Sequence, residues 1–149
     1  MKSILDSAYA FYLGDILYRG SGSLQVILIE AFVKQEQVDI QITENSNLKC
    51  YPIKPTESSR QFTISFEHVI AWQVIDESWY NFDENEIRDS LGTLQVIQNS
   101  KYFEYINKYH GWYIHSIGPA KHYRIGTENE VIDVVSCEEP HIQESKTNR

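Results

Sequence analysis

Alternation of apolar and polar positions organises most of the chain. Within residues 61–76, Phe62, Ile64, Phe66, His68, Ile70, Trp72 and Val74 all fall on even positions. That row predicts one face of a long strand, or of two strands joined at a bulge. His68 is then expected in the core, bonded to backbone, because a buried imidazole must find a partner. Residues 24–33 (LQVILIEAFV) are apolar at both alternating faces, as a central strand covered on both sides would be. Val38, Ile40 and Ile42 alternate with Asp39, Gln41 and Thr43, so the first set is expected against a core. The two segments 24–33 and 38–43 are expected to pair as a hairpin.

The remaining pattern fills in around these strands. Residues 1–20 fit a helix or a short strand equally well. Residues 44–60 contain Pro52 and Pro55 and predict an irregular connection with a short edge strand near 48–53. Residues 94–98 read as a strand, and Asn99 or Ser100 is placed to cap a helix over 101–109 that Gly111 ends. Tyr102, Ile106 and Tyr109 form its inward face. Residues 112–116 read as extended and Gly118-Pro119 as a turn. Residues 121–127 and 131–137 form a terminal hairpin around Thr127–Glu130, with Asn129 suited to positive φ. The polar tail QESKTNR, residues 143–149, has no period and is expected to fray. The sum is a single α+β domain spanning 1–149: a curved, mainly antiparallel sheet of six or seven strands with one principal helix packed on it.

Composition supports a chain that folds unaided. With 149 residues, 42% of them hydrophobic and 13% aromatic, it buries enough apolar area to offset its ordering entropy. The formal charge of −8 opposes nucleic acid and anionic membranes as partners. Residues 61–90 carry one basic and seven acidic groups, so this stretch holds −6 of the total. Asp6 and Asp15 interrupt the apolar run of residues 1–20, leaving no secretory or spanning segment there, and a cytoplasmic protein is expected. Cys50 and Cys137 suit that compartment as thiols, with a single bridge between them left open.

Candidate chemistry is sparse. His110, His115, His122 and His141 with Asp133 and Cys137 have the donor types of a zinc or iron site, but no H-x-x-x-H, C-x-x-C or H-E-x-x-H pairing occurs, so neither a metal nor another cofactor is expected. Cys137 with His122 or His115 and Asp133 is a weaker nucleophile reading, since a thiol ending a valine-rich strand is usually a small buried hydrophobe. No catalytic residue is assigned. Residues 79–89 (WYNFDENEIRD) mix aromatics with acids: a loop tucked onto the sheet by its rings, or the aromatic centre and acidic rim of a protein interface.

The residues HYRIGTENEVIDVVSCEEPHI, preceded by SKYFEYINKY and VIAWQVIDESW, resemble a recurring pattern in small, largely uncharacterised bacterial α+β proteins. Some proteins of this size and character are immunity partners of toxins. The resemblance covers the C-terminal half, rests on hydrophobic and turn positions, and carries no functional residue across. It implies a bacterial protein that binds rather than turns over. The function expected is therefore that of a non-catalytic acidic binding protein, with neutralisation of a basic toxin as its concrete form. Trp79, Tyr80, Phe82, Asp83, Glu84 and Glu86 form the contact surface. The rival is a small-ligand binder or enzyme using a pocket around His115, His122 and Tyr123.

Overall fold

The structure, a computed structural model, describes residues 1–146. The strands β1 (Ala10–Tyr18), β2 (Leu24–Val33), β3 (Val38–Thr43), β4 (Ser46–Cys50), β5 (Ile53–Lys54), β6 (Arg60–Phe66) and β7 (Val69–Asp76) are followed by β8 (Ile87–Arg88) and β9 (Leu94–Gln98). Then come helix α1 (Lys101–His110), the short helix α2 (Tyr113–Ser116), and strands β10 (Lys121–Gly126), β11 (Glu130–Ser136) and β12 (His141–Lys146). The α+β class holds, with antiparallel strands dominant and one main helix, but the strands do not form a single curved sheet. One five-stranded sheet runs β1-β2-β6-β12 with β5 beside β2, a second runs β7-β11-β10-β9-β8, and β3-β4 stand apart as a two-stranded sheet.

The two large sheets face each other across one core. Leu24, Val26 and Leu28 of β2 pair across the ladder with Phe66, Ile64 and Phe62 of β6. Their side chains meet Leu94, Tyr123, Ile125, Ile132 and Val134 of the opposing sheet. Directly paired residues share a face, so even positions of β6 and odd positions of β10 line the same interior. At one end of this core, Glu30 and Arg60 join through Nη2 to Oε1 at 2.7 Å and Nε to Oε2 at 2.8 Å. The guanidinium lies 5.1 Å from the Phe62 ring centroid, and the Arg60 hydrogen bond holds the Glu30 carboxyl below its usual range.

The chain changes sheets twice at one corner. Between β6 and β7 it turns at Glu67-His68, and between β11 and β12 it returns. The two crossings are tied by Ser136 Oγ donating to the Glu67 carbonyl at 2.7 Å and by the Cys137 amide donating to the His68 carbonyl at 3.2 Å. His68 is therefore not in the core: it sits at this turn with φ +51°, half-exposed, its Nε2 3.2 Å from Glu138 Oε1. Past the corner the even-position row breaks: Val69 enters the core and Ile70 packs with Ile106 and Tyr113. Trp72 and Val74 pair with the interior residues Val134 and Ile132 but lie on an edge strand, 37% and 39% exposed. Period two identifies a face but not a sheet.

Other expectations change for related reasons. Residues 24–33 do not pair with 38–43: β2 is flanked by β1 and β6, while β3 pairs only with β4, and Val38, Ile40 and Ile42 are exposed instead of packed. Residues 4–7 form a 3-10 turn closed by a Ser3–Asp6 capping box, and β1 follows. Ser100 is the helix cap, accepting from the Phe103 amide, while Asn99 before it takes φ +58°. Residues 113–116 are helical, not extended. The turn after β10 closes through Thr127, whose amide and hydroxyl both donate to the Glu130 carbonyl, and Asn129 is not among the residues with positive φ. The tail does not fray over 143–146: these residues belong to β12, which pairs with β6 in continuous register from His141–Ser65 to Lys146–Arg60. The rest of the expected frayed tail, residues 147–149, lies outside the described residues. Cys50 and Cys137 are free thiols.

Gly22 sits against the corner. Its φ is +77°, and a Cβ there would lie 3.0 Å from the Val69 nitrogen, which itself donates to the Gly22 carbonyl. Gly20, at φ +80°, faces open space. Gly20→Ala should cost about 1 kcal/mol from left-handed strain alone, whereas Gly22→Ala should cost about 2–3 kcal/mol because the backbone must also move. Urea midpoints of the two variants at unchanged m-value test the difference.

Candidate interface site

Of the two faces of the β7-β11-β10-β9-β8 sheet, the one turned away from the core carries a row of polar side chains across four strands. Gln73 of β7 lies opposite Asp133 of β11, Asp133 opposite Arg124 of β10, and Arg124 opposite Gln95 of β9. The order follows from the turn: closing the hairpin at Thr127–Glu130 pairs Gly126 with Val131 and so brings Arg124 to Asp133. His122, two residues before Arg124, shares its face.

Asp133 is fully buried and accepts four hydrogen bonds. His122 Nε2 and Arg124 Nε reach Oδ1 at 2.7 and 2.8 Å, and Tyr80 OH and Gln73 Nε2 reach Oδ2 at 2.9 and 3.0 Å. With Asp133 accepting, His122 Nε2 carries the shared proton. Its Nδ1 has no partner among the described residues, and the ring packs edge-on to Tyr102 at 5.5 Å. Burial pushes the Asp133 carboxyl up, but the bond from His122 and the positive charge of Arg124 outweigh it and hold the group at about 2. Burial lowers the Arg124 guanidinium, and the carboxylates of Glu86 and Asp133 reverse that and raise it. Burial and the Asp133 charge raise Tyr80, and the same two causes push Tyr102 up to about 12.

This network anchors the loop after β7. Arg124 donates from Nη1 to Glu86 Oε2 at 2.5 Å and from Nη2 to Oε1 at 3.1 Å, the bidentate geometry in which arginine binds carboxylate best. Its guanidinium lies 5.0 Å from the Tyr80 ring and 5.8 Å from the Phe82 ring, while Arg88 covers Phe82 at 4.9 Å. Asp83 pairs with Lys101 of α1 at 3.0 Å, and the Asn85 amide and Lys101 lower its carboxyl. Asp89 binds the N-terminal amine at 2.6 Å. Burial raises the Asp89 carboxyl, and that amine overcomes it to give a net lowering.

All six residues assigned to a contact surface, Trp79, Tyr80, Phe82, Asp83, Glu84 and Glu86, line one open groove of about 640 Å³. They do not contribute alike. Tyr80 and Glu86 face inward as anchors and Asp83 is paired, whereas Glu84 is exposed, Phe82 is half-exposed and Trp79 is 82% exposed. Asp76 and Glu77 flank Trp79 and, like Glu84, form no ion pair among the described residues. Sequence reasoning took Glu86 for a surface acid and gave Arg124 no role. The i, i+2 spacing of His122 and Arg124 opposite Asp133 was the available signal.

The rival trio does not meet. Tyr123 points into the inter-sheet core and His122 into the buried network, as adjacent strand residues must. His115 is exposed on α2 beside Trp112. Cys137 lies 3.6 Å from the Gly118 carbonyl, with its thiol raised by burial and by Glu138, the reverse of what a nucleophile needs. Among the described residues no group of three or more His, Cys, Asp and Glu side chains is placed to hold a metal ion, and no helix is long and apolar enough to cross a membrane.

No protein-family model, curated protein or solved structure gives a significant match to the chain.

The carboxyl of Asp133 ionises more readily folded than unfolded. Its contribution to stability is therefore complete above its unfolded value near pH 4 and is lost as pH falls towards 2, amounting to about 2 kcal/mol. Asp133→Asn should cost about 3–5 kcal/mol at neutral pH, because the amide NH2 replaces one of the two accepting oxygens and so faces two buried donors, and no negative charge is left beside Arg124. It should also flatten the stability profile between pH 4 and 2, as urea unfolding at a series of pH values will record.

Proposed function

We propose that the chain is a non-catalytic protein-binding module whose Trp79 groove receives the basic surface of a partner protein. The observation that carries this reading is the exposed indole of Trp79, standing on an internally anchored loop beside the unpaired carboxylates of Asp76, Glu77 and Glu84. An isolated exposed tryptophan needs no explanation. Here, however, the neighbouring charges that could be neutralised internally already are, through Lys101, Arg124 and the N-terminus. What remains is one aromatic anchor and a negative rim, the arrangement that steers a cationic protein into place and then buries a ring.

Toxin neutralisation in the bacterial cytoplasm is the concrete form of this function that the sequence resemblance favours. The charge of −8 raises the association rate with a basic toxin and repels nucleic acid. Tyr80, Phe82, Asp83 and Glu86 act as support, and Trp79 and Glu84 as contact.

A photo-crosslinking residue at Asn81, which also lines the groove, should capture a protein of basic isoelectric point from the cells that make the chain. For that partner, Trp79→Ala should weaken binding about 10- to 100-fold. Asp76→Asn with Glu77→Gln and Glu84→Gln should slow association and flatten its salt dependence. A captured partner whose affinity ignores both changes overturns the assignment.

A further inference from the structure

The hairpin β3-β4 is the part of the chain that the rest of the fold does not use. Residues 38–49 are all exposed. Ile40 lies opposite Leu48 and Val38 opposite Cys50, so one face of the hairpin carries an apolar row with nothing packed on it. A two-stranded hairpin is at best marginally stable in water, and a third strand or a covered face is what makes such a unit hold. β3 pairs only with β4 among the described residues, leaving its outer edge of backbone groups free.

The edges differ in chemistry. Both strands alternate, Leu48 beside Ile40 on one face and Asn47 and Lys49 beside Gln41 and Asp39 on the other. β4 carries the lysine, a residue that blunts an edge against pairing, whereas β3 has no lysine and is richer in β-branched residues, Val38, Ile40, Ile42 and Thr43, which favour it. Charge points to the occupant. Residues 34–54 carry Lys34, Lys49 and Lys54 against Glu36, Asp39 and Glu44, a net charge of zero on a molecule of −8. A second copy is repelled by the body but not by this segment. A cationic protein, the kind drawn to the Trp79 groove, finds no excess negative charge here.

We infer that the β3 edge is a self-association site, where a second copy of this chain adds its own β3 antiparallel about a two-fold axis. Centred on Ile40, the pairing sets Asp39 opposite Gln41 of the second copy, so no like charges meet. It builds a four-stranded sheet with the Ile40 and Leu48 side chains of both copies on one face. The site is separate from the groove and does not depend on the function proposed for it. Its small extent makes the dimer weak, as interfaces at the low end of the size range are.

Analytical ultracentrifugation of the full chain from about 1 to about 300 µM should show a monomer–dimer equilibrium with a dissociation constant of about 10–100 µM. Raising salt from about 50 to about 500 mM should strengthen it several-fold, because screening removes repulsion between two −8 bodies. Ile40→Lys puts two like charges on the axis and should abolish dimerisation, with an unchanged circular dichroism spectrum because it touches no core residue. Trp79→Ala should leave the dimer intact. A wild-type chain that stays monomeric across this range overturns the inference. So does a dimer that weakens with salt, survives Ile40→Lys or needs Trp79. A monomer in which Ile40→Lys weakens capture at the groove would give the hairpin to the heterologous partner instead.

Discussion

A single buried carboxylate determines the outer face of the β7-β11-β10-β9-β8 sheet. Asp133 lies between the apolar pairs Val131-Ile132 and Val134-Val135 of β11, and taking its charge out of water is tolerable only because four donors meet its two oxygens. The donors arrive from three places: His122 and Arg124 from β10, Gln73 from β7 on the other side, and Tyr80 from the loop that follows β7. The carboxylate thus gives that loop its position. Arg124 extends the arrangement by one more charge, binding Asp133 through Nε and Glu86 through both terminal nitrogens. Hydrophobic packing alone would hold such a loop against the sheet, but it would not fix the direction of each ring as directed hydrogen bonds do.

The acidity of residues 61–90 takes on a different meaning once pairing is known. Glu86, Asp83 and Asp89 are each matched to a cation from a distant part of the chain: Arg124, Lys101 and the N-terminal amine. Their charge is structural, and the field they project outward is small. The field near Trp79 comes from Asp76, Glu77 and Glu84. Counting acids along the sequence overstates the number of carboxylates left without an internal cation among the described residues.

Alternation made several features legible in the sequence. The strand pair β10-β11, the strand at 94–98, the capped helix expected over 101–109 and the inward face of β6 follow from local periodicity and local caps, which the chain states within a few residues of itself. β2, by contrast, is apolar at both alternating faces in the sequence but fully buries mainly one of them. The corner at His68 does not. The same parity runs through it, and the turn depends on Gly22, Ser136 and Cys137, residues from 46 to 69 positions away in sequence. For the same reason two sheets read as one. β12 was missed because its partner strand supplies most of its order: Ile142 packs on the core, and its other described side chains are polar, as an edge strand allows.

The candidate site was legible in composition and not in role. Trp79, Tyr80, Phe82, Asp83, Glu84 and Glu86 do share a groove, yet the sequence cannot say which of them face inward, because that choice is made by Arg124 and Asp133 on strands that only the hairpin register brings together. Had Arg124 been apolar, Glu86 would have no buried cation to bind and would belong on the surface with Glu84. The division between supporting and exposed residues is therefore set from beneath the loop. Trp79 is a large side chain in it to which the network assigns no partner among the described residues.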